Sequence, residues 1–367
     1  MSSALTTTRT LDTFVQIALR AVATNSYMSI DDWNGALFNK VMEWIRDSES
    51  ITRIQITSSS LRCLRIRTEE DIALLFETLG TLPNLKVLVL HDVVKSRSDM
   101  ENFENYLRSI PSPLSSLYTV GTGEIPSSTF RALASVRTMR SLRVQCDRTI
   151  DGESMVRSLI LNNSPLKTVK FSGKCGNPYE MYRALADLLP LNTTLETLHL
   201  PDCEEFIPQD PGPAIKALLD SLKSNSTLKS LEMEGRPPDT TLLCTILADV
   251  LAVNSTLQDL AMPHCDSLPT RPALQALVNT MRNSNHSLRN LTMNYPRYLE
   301  DRDYHELMWY VELNGRGGGR LKANSRAKCG PDLKLIFARG IRKYDLDWLY
   351  YVLRACPEIC KSRDSCS

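Results

Sequence analysis

A chain of 367 residues exceeds the roughly 250–300 residues one core supports, so two domains or an elongated array are expected. With 43 Lys and Arg against 42 Asp and Glu, the formal charge of +1 argues against a whole-molecule drive toward nucleic acid or anionic membrane. No apolar run approaches the roughly 18 residues needed to cross a bilayer, so no membrane association is expected.

The N-terminus, residues 1–24, lacks a basic leading region, and Gln16 and Arg20 interrupt its apolar stretch, which speaks against a secretory signal. It is Ser/Thr-rich and poor in acids, a composition that an organelle transit peptide shares. Leu11, Phe14, Val15, Ala18, Leu19 and Val22 nevertheless form a helical stripe, and a first helix is predicted over residues 10–24. A second follows the capping pair Asp31-Asp32 and sets Leu37, Val41, Trp44 and Ile45 on one face. Residues 1–50 are therefore read as a helical cap over the first hydrophobic repeat face.

Two β-like runs come next, Ile51-Thr-Arg-Ile54-Gln-Ile56 and Leu61-Arg-Cys-Leu64-Arg-Ile66. The gap between them is too short for a helix, which predicts a hairpin opening the sheet. The pattern continues through Leu85-Leu88-Leu90, a degenerate Leu114-Leu117 copy with Thr119 in an apolar position, and Met139-Leu142-Val144. Five clear copies follow, each an Asn, two residues, then Leu-x-x-(Leu/Val)-x-(Leu/Met/Phe). They begin at Asn163, Asn192, Asn225, Asn254 and Asn285.

Between strands the spacing is helical, as in Ala214–Leu222 and Ile246–Leu251. The Asn closing each helix suits a left-handed C-terminal cap. Short strands joined by helical crossovers predict a parallel sheet. A fixed period of this size signals a solenoid, and Leu-x-x-Leu-x-Leu-x-x-Asn/Cys is the leucine-rich-repeat form.

From Asn163 to Met293 the chain resembles the ribonuclease-inhibitor-like class of leucine-rich-repeat proteins, and the weaker copies carry the resemblance back to about Leu61. It implies an α/β horseshoe with a parallel concave sheet and convex helices. It also implies an intracellular protein that binds other proteins through the sheet. The segment Pro208–Pro213 and the irregular early repeats depart from the class. The tail resembles the C-terminal cap of leucine-rich-repeat families in unicellular algae, in Leu313-Asn314-Gly-Arg-Gly-Gly-Gly-Arg320 and Leu349-Tyr-Tyr-Val-Leu-Arg354-Ala-Cys-Pro357-Glu-Ile-Cys360. The expected division is a cap at 1–50, repeats at 51–296 and a helical cap at 297–367, starting with a helix over about 303–314.

Motifs for chemistry are scarce. No P-loop is present, and the Gly315–Gly319 run follows a helix rather than a strand, so a flexible link is favoured over an anion-binding loop using Arg316 and Arg320. His305-Glu306 starts like a zincin helix, but Trp309 stands where the second His belongs, leaving an exposed acidic face as the reading. None of the ten Cys forms a Cys-x-x-Cys pair. Cys203 and Cys265 fall where a repeat takes a small buried residue, and free thiols there imply a reducing compartment. Cys356 and Cys360 could bind a metal with Cys366 or Cys329, against a bland reading as free thiols. Six Asn-x-Ser/Thr matches occur, four of them at repeat asparagines that structure accounts for before glycosylation does. No catalytic, cofactor-binding or metal residue is assigned, and no enzyme is expected.

Charge on the sheet is the more informative asymmetry. Residues alternating with the core positions face the concave side. They give Arg65, Arg67, His91, Tyr118, Arg143, Gln145, Lys170, His199, Glu232, Glu234, Asp259, Asn290 and Asn294 as candidate partner-binding positions. Early strands read basic and later ones acidic, a polarity able to steer an oppositely polarised partner. Solvated strands carrying charge for no partner is the plain alternative.

A non-catalytic cytoplasmic scaffold docking a protein partner, as a monomer without cofactor, is the leading expectation. A regulator of an enzyme or small GTPase is one alternative. An RNA- or ribonucleoprotein-binding module using Arg65, Arg67, Arg143 and Lys170 is the other, and it predicts a steep loss of affinity with salt.

Overall fold

The computed structural model describes residues 38–47 (except 40 and 44), 51–57, 68–91, 93–94, 96–110, 113–120, 127–146, 151–160, 164–173, 178–201, 212–234, 239–262, 268–293 and 302–315. The chain forms two compact units, Met1–Pro208 and Gln209–Ser367, which divide at the Pro-rich insertion. The helix expected over residues 10–24, the run 61–66 and the C-terminal helices beyond 315 lie outside the described residues.

In the first unit, the described residues between 38 and 46 are helical and bury Phe38, Val41, Met42 and Ile45. Strand β1 (Arg53–Thr57) follows, then α1 (Glu69–Gly80), β2 (Val87–His91), α2 (Arg97–Ser109), β3 (Ser116–Val120) and α3 (Ser127–Ser135). The unit continues with β4 (Ser141–Cys146), α4 (Gly152–Ile160), β5 (Thr168–Gly173), α5 (Pro178–Leu188) and β6 (Thr197–Leu200). The strands pair in parallel and in chain order, as helical crossovers require. Helices α1 and α2 open with capping boxes, Thr68 with Asp71 and Ser96 with Asp99, which satisfy otherwise orphaned N–H groups.

Every strand contributes alternate side chains to a core beneath the helices. Ile54, Leu88, Leu117, Leu142, Val169 and Leu198 share one transverse row, and all are buried. Thr119 stands in the next row between Leu90 and Val144, the degenerate position foreseen from sequence. Between α1 and α2, Phe76, Phe103 and Tyr106 cluster with ring centroids 5.3–6.3 Å apart. Burial raises the Tyr106 hydroxyl above its ordinary range. Glu104 of α2 is buried yet accepts hydrogen bonds from Ser128 (2.6 Å), Thr129 (2.7 Å) and Arg108 (2.8 Å). Burial alone would raise its carboxyl, but those donors prevail and hold it below the usual carboxylate range.

The second unit contains α6 (Gly212–Ser221), β7 (Ser230–Met233), α7 (Thr240–Val253), β8 (Asp259–Ala261), α8 (Arg271–Asn283), β9 (Asn290–Thr292) and α9 (Arg302–Gly315). Its strands are again parallel, with Leu231, Leu260 and Leu291 in one buried row. The architecture is that of an α/β leucine-rich-repeat-like solenoid, each repeat a strand and a helix.

Asn254 does not close its helix in the left-handed conformation expected of the repeat asparagines. Asn254 is extended (φ −77, ψ 122), and its side chain joins consecutive repeats instead. Asn254 Oδ1 accepts from the Thr256 and Leu257 N–H groups at 3.0 and 2.8 Å. Its Nδ2 donates back to the Leu222 and Asn225 carbonyls at 2.7 and 3.2 Å. Asn285 repeats this, accepting from Ser287 and Leu288 and donating to Leu251 (3.0 Å) and Asn254 (2.9 Å). In the first unit Asn192 accepts from Thr194 and Leu195 and donates to Ile160. The ladder gains a rung the repeat pattern omitted, because Asn314 of α9 donates to the Asn285 carbonyl at 3.2 Å. Asn225, Asn254 and Asn285 are 4%, 5% and 1% exposed, too enclosed for glycan attachment.

Helix α9 closes on α8 through charge as well as apolar contact. The His305-Glu306 segment is not an exposed acidic face, since Glu306 is buried and pairs with Arg282. Arg282 also donates to the Tyr310 hydroxyl at 2.9 Å, and Arg271 pairs with Asp303 at 3.2 Å. The expectation failed because helical periodicity shows which residues share a face, not which helix that face meets. Among the described residues, no helix is long and apolar enough to cross a membrane.

Candidate functional site

Three transverse rows of side chains cover the sheet face opposite the helices in the first unit. The middle row takes Gln55, Val89, Tyr118, Arg143, Lys170 and His199 from successive strands. Strict parallel register produces it, since each strand shifts by one repeat and presents the same position. Adjacent strands lie about 4.8 Å apart, so consecutive members of the row are immediate neighbours along the sheet.

Within that row, the Arg143 guanidinium carbon lies 4.6 Å from the centre of the Tyr118 ring. A cation over an aromatic face is held by the ring quadrupole, which fixes the long Arg side chain toward β3. Lys170 is the in-register neighbour of Arg143 on β5, and His199 follows on β6. Val89 shares the row, at 7% exposed, between Gln55 and Tyr118. Gln145 sits in the adjacent row, exposed, beside Ser172. His91 occupies the same row on β2.

The six described strands of this unit contain no Asp or Glu. The nearest acid at a strand entrance, Glu196, is paired with Lys167 at 2.7 Å. No described ion pair neutralises Arg143 or Lys170.

The sheet of the second unit has the opposite composition. Its strands contain no Lys or Arg, and Glu232, Asp259 and the residue after β7, Glu234, are half-buried. Asp259 and Asn290 are register neighbours, and the Asn290 amide donates to the Asp259 carboxylate.

Of the positions expected from sequence, Tyr118, Arg143, Lys170 and His199 come together in one row. Asp259 and Asn290 adjoin in the second unit. Arg65, Arg67 and Asn294 lie outside the described residues. Arg53 and Gln55 were missed: β1 pairs directly with β2, so they supply this face at its first strand. The sign was in the sequence, because Ile51-x-x-Ile54-x-Ile56 has the spacing of the later copies. Cys203 and Cys265 and the C-terminal cysteines lie outside the described residues, whereas Cys244 is buried in α7.

No family model matches the chain, and no curated protein sequence matches it. Among solved structures it is similar to one described as Leiomodin-1 Actin-Binding Site 2 (ABS2), at 15% identity and a TM-score of 0.32. The match covers 48% of this chain and 96% of that one. At that score the likeness carries no argument, and the architecture rests on strand register and repeat spacing.

Proposed function

We propose that this chain is a non-catalytic scaffold that docks a protein partner on the open sheet face, in the manner of ribonuclease-inhibitor-like leucine-rich-repeat proteins. On this reading residues 51–296 form the array and residues 1–50 and 297–367 cap it. The row Tyr118, Arg143, Lys170 and His199 is the observation that carries the proposal. Parallel register sets these groups side by side on hydrogen-bonded strands, so the surface is arranged before any partner arrives. A preorganised face loses little conformational freedom on binding, which favours affinity for an extended partner surface. The buried thiol of Cys244 suits a reducing compartment, and a cytoplasmic monomer without cofactor fits the reading.

The test places a photo-crosslinking amino acid at Gln145, on the rim of the row, in the full chain within a cell lysate. The expected outcome is a protein crosslinked at Gln145 and lost with Arg143→Glu/Lys170→Glu. RNA recovered in place of protein, or no crosslink at Gln145, overturns the reading.

A further inference from the structure

We infer that the first unit's sheet receives an acidic, extended segment of a partner protein, laid across strands β2 to β5. This rests on the scaffold reading and narrows it to a partner chemistry.

The row changes character along its length. At one end stands the half-buried Tyr118 ring, with Val89 beside it and only 7% exposed, and at the other the two cations Arg143 and Lys170. None of the four strands β2 to β5 carries a carboxylate to set against those cations. Arg143 and Lys170 are register partners, so their Cα atoms are separated by one strand spacing, about 4.8 Å. Two cations that close can flank one carboxylate or a consecutive pair. Stacking on Tyr118 restrains the Arg143 guanidinium, so less side-chain freedom is lost when it binds.

Spacing gives the segment a pattern. From the Val89/Tyr118 pair to the Arg143/Lys170 pair is two strands, about 9.6 Å, the reach of about three residues of extended chain. The fitting sequence carries an apolar or aromatic residue and an acidic one three positions later. A nucleic acid fits less well. Neutralising a phosphate backbone takes a run of cations, whereas this row holds two, in a chain of formal charge +1.

The experiment selects random dodecamer peptides displayed on phage against the full chain, with Arg143→Glu/Lys170→Glu selected in parallel and a 20-mer single-stranded RNA as the competing probe. The expected result is enrichment of Asp or Glu three positions after an apolar residue, and at least tenfold weaker binding of those peptides to the double variant. Both positions face solvent, so unchanged thermal unfolding should accompany that loss; if it does not, Arg143→Gln/Lys170→Gln replaces the reversal. Neutral or basic selected peptides, binding undiminished by either variant, or RNA displacing peptide at lower concentration would each overturn the inference. A protein crosslinked at Gln145 while the selected peptides are not acidic would sink this inference and leave the scaffold standing.

Discussion

The Arg143 guanidinium carbon stands 4.6 Å above the Tyr118 ring, a contact between neighbouring strands within one transverse row. The pair fixes where positive charge is presented, so removing the ring affects binding more than folding. Tyr118→Leu keeps an apolar side chain at this half-buried position and should cost about 1 kcal/mol or less in stability, the scale of the lost cation–π contact. Partner affinity should fall several-fold. Urea unfolding and a titration of the captured partner measure the two; equal losses in both would show that the contact only holds the sheet together.

Leu198 and Leu231 are both fully buried, each in the core row of its own unit. Truncating either to Ala should destabilise by roughly 2–5 kcal/mol, the span seen for buried large-to-small changes. Hydrogen exchange should then quicken in the mutated repeat and its neighbours, because a solenoid is coupled mainly between adjacent units. Uniform acceleration across both units would contradict that.

Asn285 holds two amides and two carbonyls with one buried side chain. Asn285→Ala leaves the Leu288 N–H without its acceptor in a site from which water is excluded, at a cost of about 2–4 kcal/mol. Asn285→Asp should cost a similar amount, since a carboxylate keeps the acceptor but has no N–H to donate. Chemical denaturation decides; a loss below 1 kcal/mol in both would mean that the ladder is ornamental.

These two classes of residue differ in how well the sequence shows them. The core leucines announce themselves through period, because a strand's alternation and a helix's turn are local geometry. The carbonyls that an asparagine's amide reaches lie about one repeat away, and local pattern says only that a polar residue follows a helix. The clue was spacing: Asn314 follows Asn285 by 29 residues, the same step that separates Asn254 from Asn225. The binding row was half legible. Alternation identified Tyr118, Arg143, Lys170 and His199, but only the structure shows that the Arg143 guanidinium lies over the Tyr118 ring and that Arg53 and Gln55 share their face.

Glu104 gives a pH dependence whose sign can be worked out. Its folded carboxyl is held below the ordinary value of 4.5, so the unfolded chain takes up a proton first as pH falls. Its contribution to stability is therefore complete above about pH 5 and is lost as pH drops from about 4.5 through the lower folded value. Glu104→Gln should remove that slope. Melting temperatures of both proteins between pH 3 and 7 test it, and parallel curves would refute the assignment.

Arg282 joins α8 to the closing helix α9 through Glu306 and Tyr310. Arg282→Ala leaves the Glu306 carboxylate buried without its partner. The expected cost is about 3 kcal/mol at most, less than for a fully enclosed pair because the Arg282 side chain is 36% exposed. Trp309, 4% exposed on α9, should report the loosening as quenched, red-shifted fluorescence before global unfolding. Coincident transitions would show that α9 is not a separable element.

The asparagine ladder gives the second unit a grain. Each amide reaches back to the preceding repeat, Asn314 to Asn285, Asn285 to Asn254 and Asn254 to Asn225. Cutting away the last repeat would bare carbonyls, which share two lone pairs and accept water readily. Cutting away the first would strand N–H donors inside the protein, the costlier loss. An array built this way can be lengthened or shortened at its trailing edge far more safely than at its leading one, so its number of repeats is free to drift in one direction along the chain.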